Sequence, residues 1–236
     1  MRLEWEGLLN VRDLGGVAMR DGGRSRNGAF VRSDHPLHLT PGGWEQLREY
    51  GIRTIASLET AGLKHEEALR SNRPVEPPVG LSATVFHVPV EDAADEDFMM
   101  RWASTGLWGT PLYFAEALDK WPLLYGAAIN SVALAEGPVL MHCGRGHDRT
   151  GIMALLLLTI AGATVGGIAE DYLLSARNLR PREPRSLDSL KEALRGAGVT
   201  AYDAIGAAVT VVDRNWLSRA AVARDSITAI RKGLAS

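Results

Sequence analysis

Ten residues constrain this chain more than any others. His142 to Gly151 reads HCGRGHDRTG and lies between a short apolar run, Val139, Leu140 and Met141, and a longer one from Ile152 to Ile160. A short apolar run, a glycine-rich stretch and an apolar run of helical length predict strand, loop, helix. A loop that opens onto a helix start leaves backbone N–H groups without intrahelical partners and sets the positive end of the helix dipole beside them. It suits an anion, and phosphate above all. Aligned N–H groups and a neighbouring arginine favour a thiolate, so Cys143 reads as a nucleophile. Arg149 offers a planar, permanently charged fork for two anion oxygens. Thr150 adds a hydroxyl beside the sulfur, and Gly144, Gly146 and Gly151 let the backbone approach a ligand closely. A lone cysteine is ordinarily a small buried hydrophobe. The full set at fixed spacing arises by chance on the order of once in ten million positions or less.

The stretch resembles the phosphate-binding signature of the protein-tyrosine phosphatase superfamily, a Cys, five residues and an Arg. More narrowly, it is similar to the bacterial tyrosine and lipid phosphatases whose loop reads HCxxGKDRTG and whose chain begins with N-x-RDLGG. Asn10 to Gly16 (NVRDLGG), Phe30 to Ser33, Gly51 to Thr54 and Asp171 to Ser175 follow in that family's order, so the resemblance covers about residues 8 to 180. It implies a cysteine-dependent phosphatase that hydrolyses phosphate monoesters through a thiophosphate intermediate, with no cofactor and no metal. The substrates it implies are phosphotyrosine-like, with dual-specificity or phosphoinositide activity in view. Cys143 would be the nucleophile, residues 144–150 (Gly144, Arg145, Gly146, His147, Asp148, Arg149, Thr150) the phosphate-binding loop, and His142 a supporting group. The narrower family implies Asp148 as general acid. Other branches of the superfamily place the acid on a loop after an upstream strand, which makes Asp92 the rival. Two departures stand out. His147 occupies the position of the family's lysine, and imidazole is charged only below about pH 6.5, so Arg145 becomes the candidate second cation. Ser57, Leu58 and Glu59 replace the usual Asp-Leu-Arg.

With 236 residues and a formal charge of −2, the chain is long enough for one domain with a proper core, and nothing suggests general attraction to nucleic acid or to a membrane surface. One domain over residues 1–236 is expected, with its core at about 8–180 and a helical part at about 186–236. The longest apolar run is too short to span a bilayer, and Met1 to Glu4 lack the apolar core of a signal peptide. The expected location is cytoplasmic, with secretion by another route left open. A single Cys excludes an intramolecular disulfide and argues against arsenate reduction, which needs further thiols. Neither a G-x-S-x-G elbow nor a G-x-x-x-x-G-K-[ST] loop is present. The partner is expected to be a phosphorylated protein or small phosphorylated molecule, and the alternatives are a phosphatase of one metabolite or a phosphate-binding module without activity.

Along the chain, helical and extended patterns alternate. Strands are expected at Phe30 to Arg32, Ile52 to Leu58, Thr84 to Val90 and Val139 to His142. Helices are expected from Pro41 to Gly51, around Leu63 to Ser71, between Thr110 and Ala135 with a break at Pro122, from the catalytic loop to Gly162, from Thr164 to Ser175, and from Ser186 onward. This order predicts an α/β, three-layer architecture: a mostly parallel central sheet with helices on both faces and a helical C-terminal extension. Arg12 and Asp13 read as a salt-bridged pair bracing a turn, His35 and His38 as too few ligands for a metal, and Arg180 to Arg185 as a solvated basic loop. Residues 91–110, acidic and then aromatic, follow a strand toward the same sheet edge as the loop. They are either a lid over the pocket or a helix packed on the core.

Overall fold

Five short runs of apolar and branched residues form the sheet of the computed structural model, which describes residues 2–235, with residues 69–71 described by their backbone only. The strands are β1 (Arg12–Asp13), β2 (Phe30–Ser33), β3 (Thr54–Ala61), β4 (Thr84–Asp92) and β5 (Val139–His142). Their order is β1-β2-β5-β3-β4, and only β1 runs antiparallel to its neighbour. The last residue of β5, His142, pairs with Ser33 on one side and Ser57 on the other. Cys143 therefore emerges at the carboxyl edge from the middle of the sheet, where open α/β sheets bind ligands.

The first five helices are α1 (Pro41–Tyr50), α2 (His65–Ser71), α3 (Glu96–Phe98), α4 (Phe114–Lys120) and α5 (Pro122–Ala133). After the loop come α6 (Arg149–Ala161), α7 (Val165–Asn178), α8 (Ser186–Gly196), α9 (Ala201–Val211), α10 (Arg214–Arg219) and α11 (Arg224–Leu234). Sequence signals set several boundaries. Thr40 Oγ1 accepts from Gly43 N–H at the start of α1, and Gly51, at φ 89°, ends it. Pro122 opens α5 at a position where its missing N–H costs nothing, which splits the expected helix in two. β3 starts two residues late because Ile52 N–H turns back to Leu47 O, closing the end of α1.

Alternation in the strands divides the core between two faces. Val31, Ile55 and Leu140 point to one side, against Leu47 of α1 and Trp5, Leu8 and Val11 of the N-terminal segment. Phe30, Ala56, Leu58, Val139 and Met141 point to the other, against α5, α6, α9 and α11. The second side is far larger. Helix α6 is buried almost all round, which explains why its sequence, GIMALLLLTIA, shows no polar stripe. The C-terminal helices do more than extend the fold: Ile205, Ala208, Ile230 and Leu234 are fully buried in the same core as α6.

Two readings of charged residues need correction. Arg12 and Asp13 are buried, and their partners lie elsewhere: Arg12 binds Asp171, while Asp13 receives the N–H groups of Gly15 and Gly28 and the hydroxyl of Tyr50. The segment Arg180 to Arg185 is also more than a solvated loop, because Arg182 pairs at 2.9 Å with the fully buried Asp34. Among the described residues no helix is long and apolar enough to cross a membrane.

Gly126 shows how tightly the C-terminal helices dock. A Cβ there would lie 1.6 Å from the carbonyl oxygen of Ala220, at the end of α10. Gly-to-Ala inside a helix ordinarily stabilises by roughly 0.5–1 kcal/mol. Here Gly126→Ala is expected to destabilise, by about 1–3 kcal/mol in urea unfolding. A gain in stability would mean that α10 is not seated against α5.

Candidate active site

The loop after β5 is held from behind. Gly144 O accepts from His35 N–H at 3.1 Å, Arg145 O from Asn10 Nδ2 at 3.1 Å, Gly146 O from Asn10 Nδ2 at 3.0 Å and Arg32 Nη2 at 2.7 Å, and His147 O from Arg32 Nη2 at 3.2 Å. Among the described residues all peptide bonds are trans. In a planar trans peptide the N–H points opposite to the C=O. Four consecutive carbonyls drawn outward thus turn the N–H groups of residues 145–148 inward, toward the start of α6. Gly146 makes the curl possible: its φ is 64°, and a Cβ would lie 2.1 Å from Ser33 O. Gly144 faces open space instead, and Gly151 makes room for the Tyr172 ring, which would be 3.1 Å from its Cβ.

The clamp is itself anchored on one carboxylate. Asp171 of α7 takes Arg12 Nε at 2.6 Å on one oxygen and Arg32 Nη1 at 2.5 Å on the other. Arg12 also reaches Asn10 Oδ1 at 2.6 Å, and both arginines bind Ser175 Oγ. Burial alone would raise the carboxyl pKa, but the two guanidiniums overcome it and bring it down to about 2.

In front of the loop, Asp148 and Arg149 line a cavity of about 170 Å³ with Glu91, Trp108, Gly109 and Tyr113. Arg149 Nη1 is steadied by Leu58 O at 3.0 Å, within β3. Asp148 accepts from Tyr172 Oη at 3.4 Å and lies 3.9 Å from Arg145 Nη2. Cys143 is buried at the β5 end, 4% exposed. Among the described residues, Ser33 Oγ, Thr150 Oγ1 and His142 Nε2 are buried beside it without a hydrogen-bond partner. Unsatisfied buried donors are costly, and three at one place mark a site. No group of three or more His, Cys, Asp or Glu side chains among the described residues is arranged for a metal ion. His35 instead accepts Leu37 N–H on Nδ1 and meets Arg73 O on Nε2.

Of the two candidate acids, Asp148 borders the cavity. Asp92 binds Ala94 N–H and caps its own turn. Strict alternation from Val88 and Val90 would have put Asp92 on the cavity side. The β3–β4 register slips by one residue between Glu59 and Thr60, and the bulge at Val90 presents Glu91 there instead. Glu91, fully buried, accepts Tyr113 Oη at 2.8 Å and Trp108 Nε1 at 3.2 Å. Burial raises its pKa, opposed by Arg149. The sequence reading missed it, and only the bulge could have revealed it. Within residues 91–110, Phe98 is buried against Trp121 and Tyr113, whereas Trp108 and Gly109 border the cavity.

The sequence profile of the tyrosine phosphatase family matches residues 3–234. The chain belongs to this family. A Cupriavidus necator protein named "Putative tyrosine-protein phosphatase" is 30% identical over 182 residues, covering 73% of this chain and 62% of that protein. A Nostoc commune protein named "Tyrosine-protein phosphatase" is 46% identical over 66 residues, 28% of this chain and 21% of its own length. "Triple specificity protein phosphatase PtpB" of Mycobacterium tuberculosis is 30% identical over 199 residues, 73% of this chain and 68% of its own. The chain thus spans less than two thirds of the first two of these relatives.

Both loop histidines are held neutral by burial. His147 is 1% exposed, stacks on Tyr172 with ring centroids 4.6 Å apart, and is held neutral by burial, its pKa brought down to about 4 despite Asp148. His142 is pushed to about 3 by burial, with His35 and Arg149 adding to the effect. Position 147 therefore brings no charge to the loop at neutral pH.

Two outcomes are expected. Both imidazoles are neutral when folded and take up protons on unfolding, so stability should fall as pH drops below about 6.5 and keep falling to about 4, where His147 protonates in the folded protein too. Urea midpoints measured across that range test this, and a flat profile overturns it. Asp171→Asn leaves two buried guanidiniums without their counter-charge and should cost about 3–5 kcal/mol in the same assay at neutral pH.

Proposed function

We propose that the protein is a cysteine-dependent phosphatase that hydrolyses phosphate monoesters, phosphotyrosine-like aryl esters first among them. The observation that carries this reading is the row of four loop carbonyls fixed outward, which turns their N–H partners toward the site of an anion, beside Cys143 and Arg149. Donors already aimed at the place where charge develops need no rearrangement during reaction. A pure binding module has no need of a nucleophile at the same place.

In the first step the Cys143 thiolate attacks phosphorus. An S–P bond forms as the P–O bond to the leaving group breaks, and the leaving oxygen takes a proton from Asp148. In the second, water attacks phosphorus, gives a proton to the Asp148 carboxylate, and returns Cys143 and inorganic phosphate. Arg149 and the loop N–H groups bind the equatorial oxygens through both. A bound phosphate dianion beside Asp148 favours its protonated form, as the first step requires. Glu91 is buried against Tyr113 and Trp108 and serves to hold the Trp108 loop beside Arg149 rather than to transfer a proton.

Cys143→Ser is expected to abolish turnover of a small aryl phosphate while leaving phosphate binding measurable by calorimetry; substantial residual turnover would refute the covalent route. Asp148→Asn should lower kcat by about 10²–10⁴ for an ester with a poor leaving group, and far less for an activated one. That pattern in Asp92→Asn instead would move the acid to β4.

A further inference from the structure

Beside the phosphate cavity lies a second cleft of about 390 Å³ that shares Trp108 and Gly109 with it. Leu190 and Ala193 of α8 form an apolar wall, and Glu183 and Arg145 stand across from each other. An ester bound with its phosphate in the loop must direct its leaving group outward, and the shared Trp108 makes this cleft the continuous path. Trp108 offers an aromatic face to an aryl ring.

The orientation of Arg145 is built in. Its Nη2 meets His147 Nδ1 at 2.9 Å, and the imidazole is fixed in turn by its stack on Tyr172. Because the guanidinium can only donate, His147 Nδ1 is the acceptor and the ring is neutral. The opposite contact is loose: Arg145 Nε lies 3.6 Å from Glu183, and both side chains are partly exposed, at 44% and 33%. Such a pair contributes little and gives way readily to a better carboxylate.

We propose that this cleft binds the leaving-group side of the substrate, and that Arg145, aimed by His147, selects phosphotyrosyl peptides with an acidic side chain beside the phosphorylated residue. The inference rests on the phosphatase reading above. A polyphosphorylated headgroup fits less well, because His147 brings no charge, Glu183 lines the same cleft and Asp148 lies 3.9 Å from Arg145. Of the two arginines that line the cleft, Arg185 pairs with Glu192 at 3.4 Å, so Arg145 with an apolar wall matches one carboxylate next to an aromatic ring. His147 is a positioning residue, acting through Arg145.

The test compares kcat/KM of the full chain for two phosphotyrosyl peptides that differ only in Glu or Lys flanking the phosphotyrosine. The wild type should favour the Glu peptide by about five- to tenfold, mostly through KM. Arg145→Ala should bring the ratio to about one, as expected for loss of a single ion pair. His147→Phe keeps the stack but loses the acceptor and should lower the ratio, and His147→Gln, which can still accept, should restore part of it. An unchanged ratio in Arg145→Ala overturns the proposal, as does preferential turnover of a phosphatidylinositol monophosphate in phosphatidylcholine vesicles. Turnover of a small aryl phosphate reports separately on the underlying reading. If that fails, tighter calorimetric binding of the Glu peptide to Cys143→Ser still supports the cleft, and equal binding of the two peptides overturns it.

Discussion

The site depends on a buried carboxylate gripped by two arginines. Asp171 fixes Arg12 and Arg32; Arg32 donates directly to the loop carbonyls, and so does Asn10, which Arg12 holds in place. A loop with four inward N–H groups is not stable by itself, since nothing within it satisfies the carbonyls or resists their return toward solvent. The clamp transfers that cost to an ion network deep in the protein, where removing one member leaves unpaired charge. The motif residues at Asn10 to Gly16, Phe30 to Ser33 and Asp171 to Ser175, far apart in sequence, thus share one task.

Charge at the loop follows from burial. His142 and His147 are sealed from water, so both are neutral, whereas a lysine at position 147 would be charged. The second cation moves to Arg145 at the rim. Its direction is set by His147 and therefore by the Tyr172 ring beneath it.

The unequal faces of the sheet give the loop its rigidity. One face carries α1 and the N-terminal segment, and the other carries α6 inside a shell made by α5, α9 and α11. Because α6 is enclosed on every side, its first turn, which bears Arg149 and Thr150, is fixed against the β5 end. Helices α9 and α11 therefore support the site from behind α6.

The sequence by itself determined the strand–loop–helix around Cys143, the alternation that makes the sheet mostly parallel, the helix boundaries at Thr40, Gly51, Pro122 and Gly162, and the group of residues that builds the loop. These are local matters of propensity, capping and spacing, or motifs in which residue type and order carry the information. Tertiary structure alone decided the partners of Arg12 and Asp13, the anchoring of Arg182 on Asp34, the neutrality of His147 and the placing of Glu91 rather than Asp92 at the cavity. Each of these turns on burial or on a single-residue slip in register. Neither can be read from residue type alone: His147 is covered by the Tyr172 ring of another helix, and one bulge in β4 reverses which carboxylate faces the site.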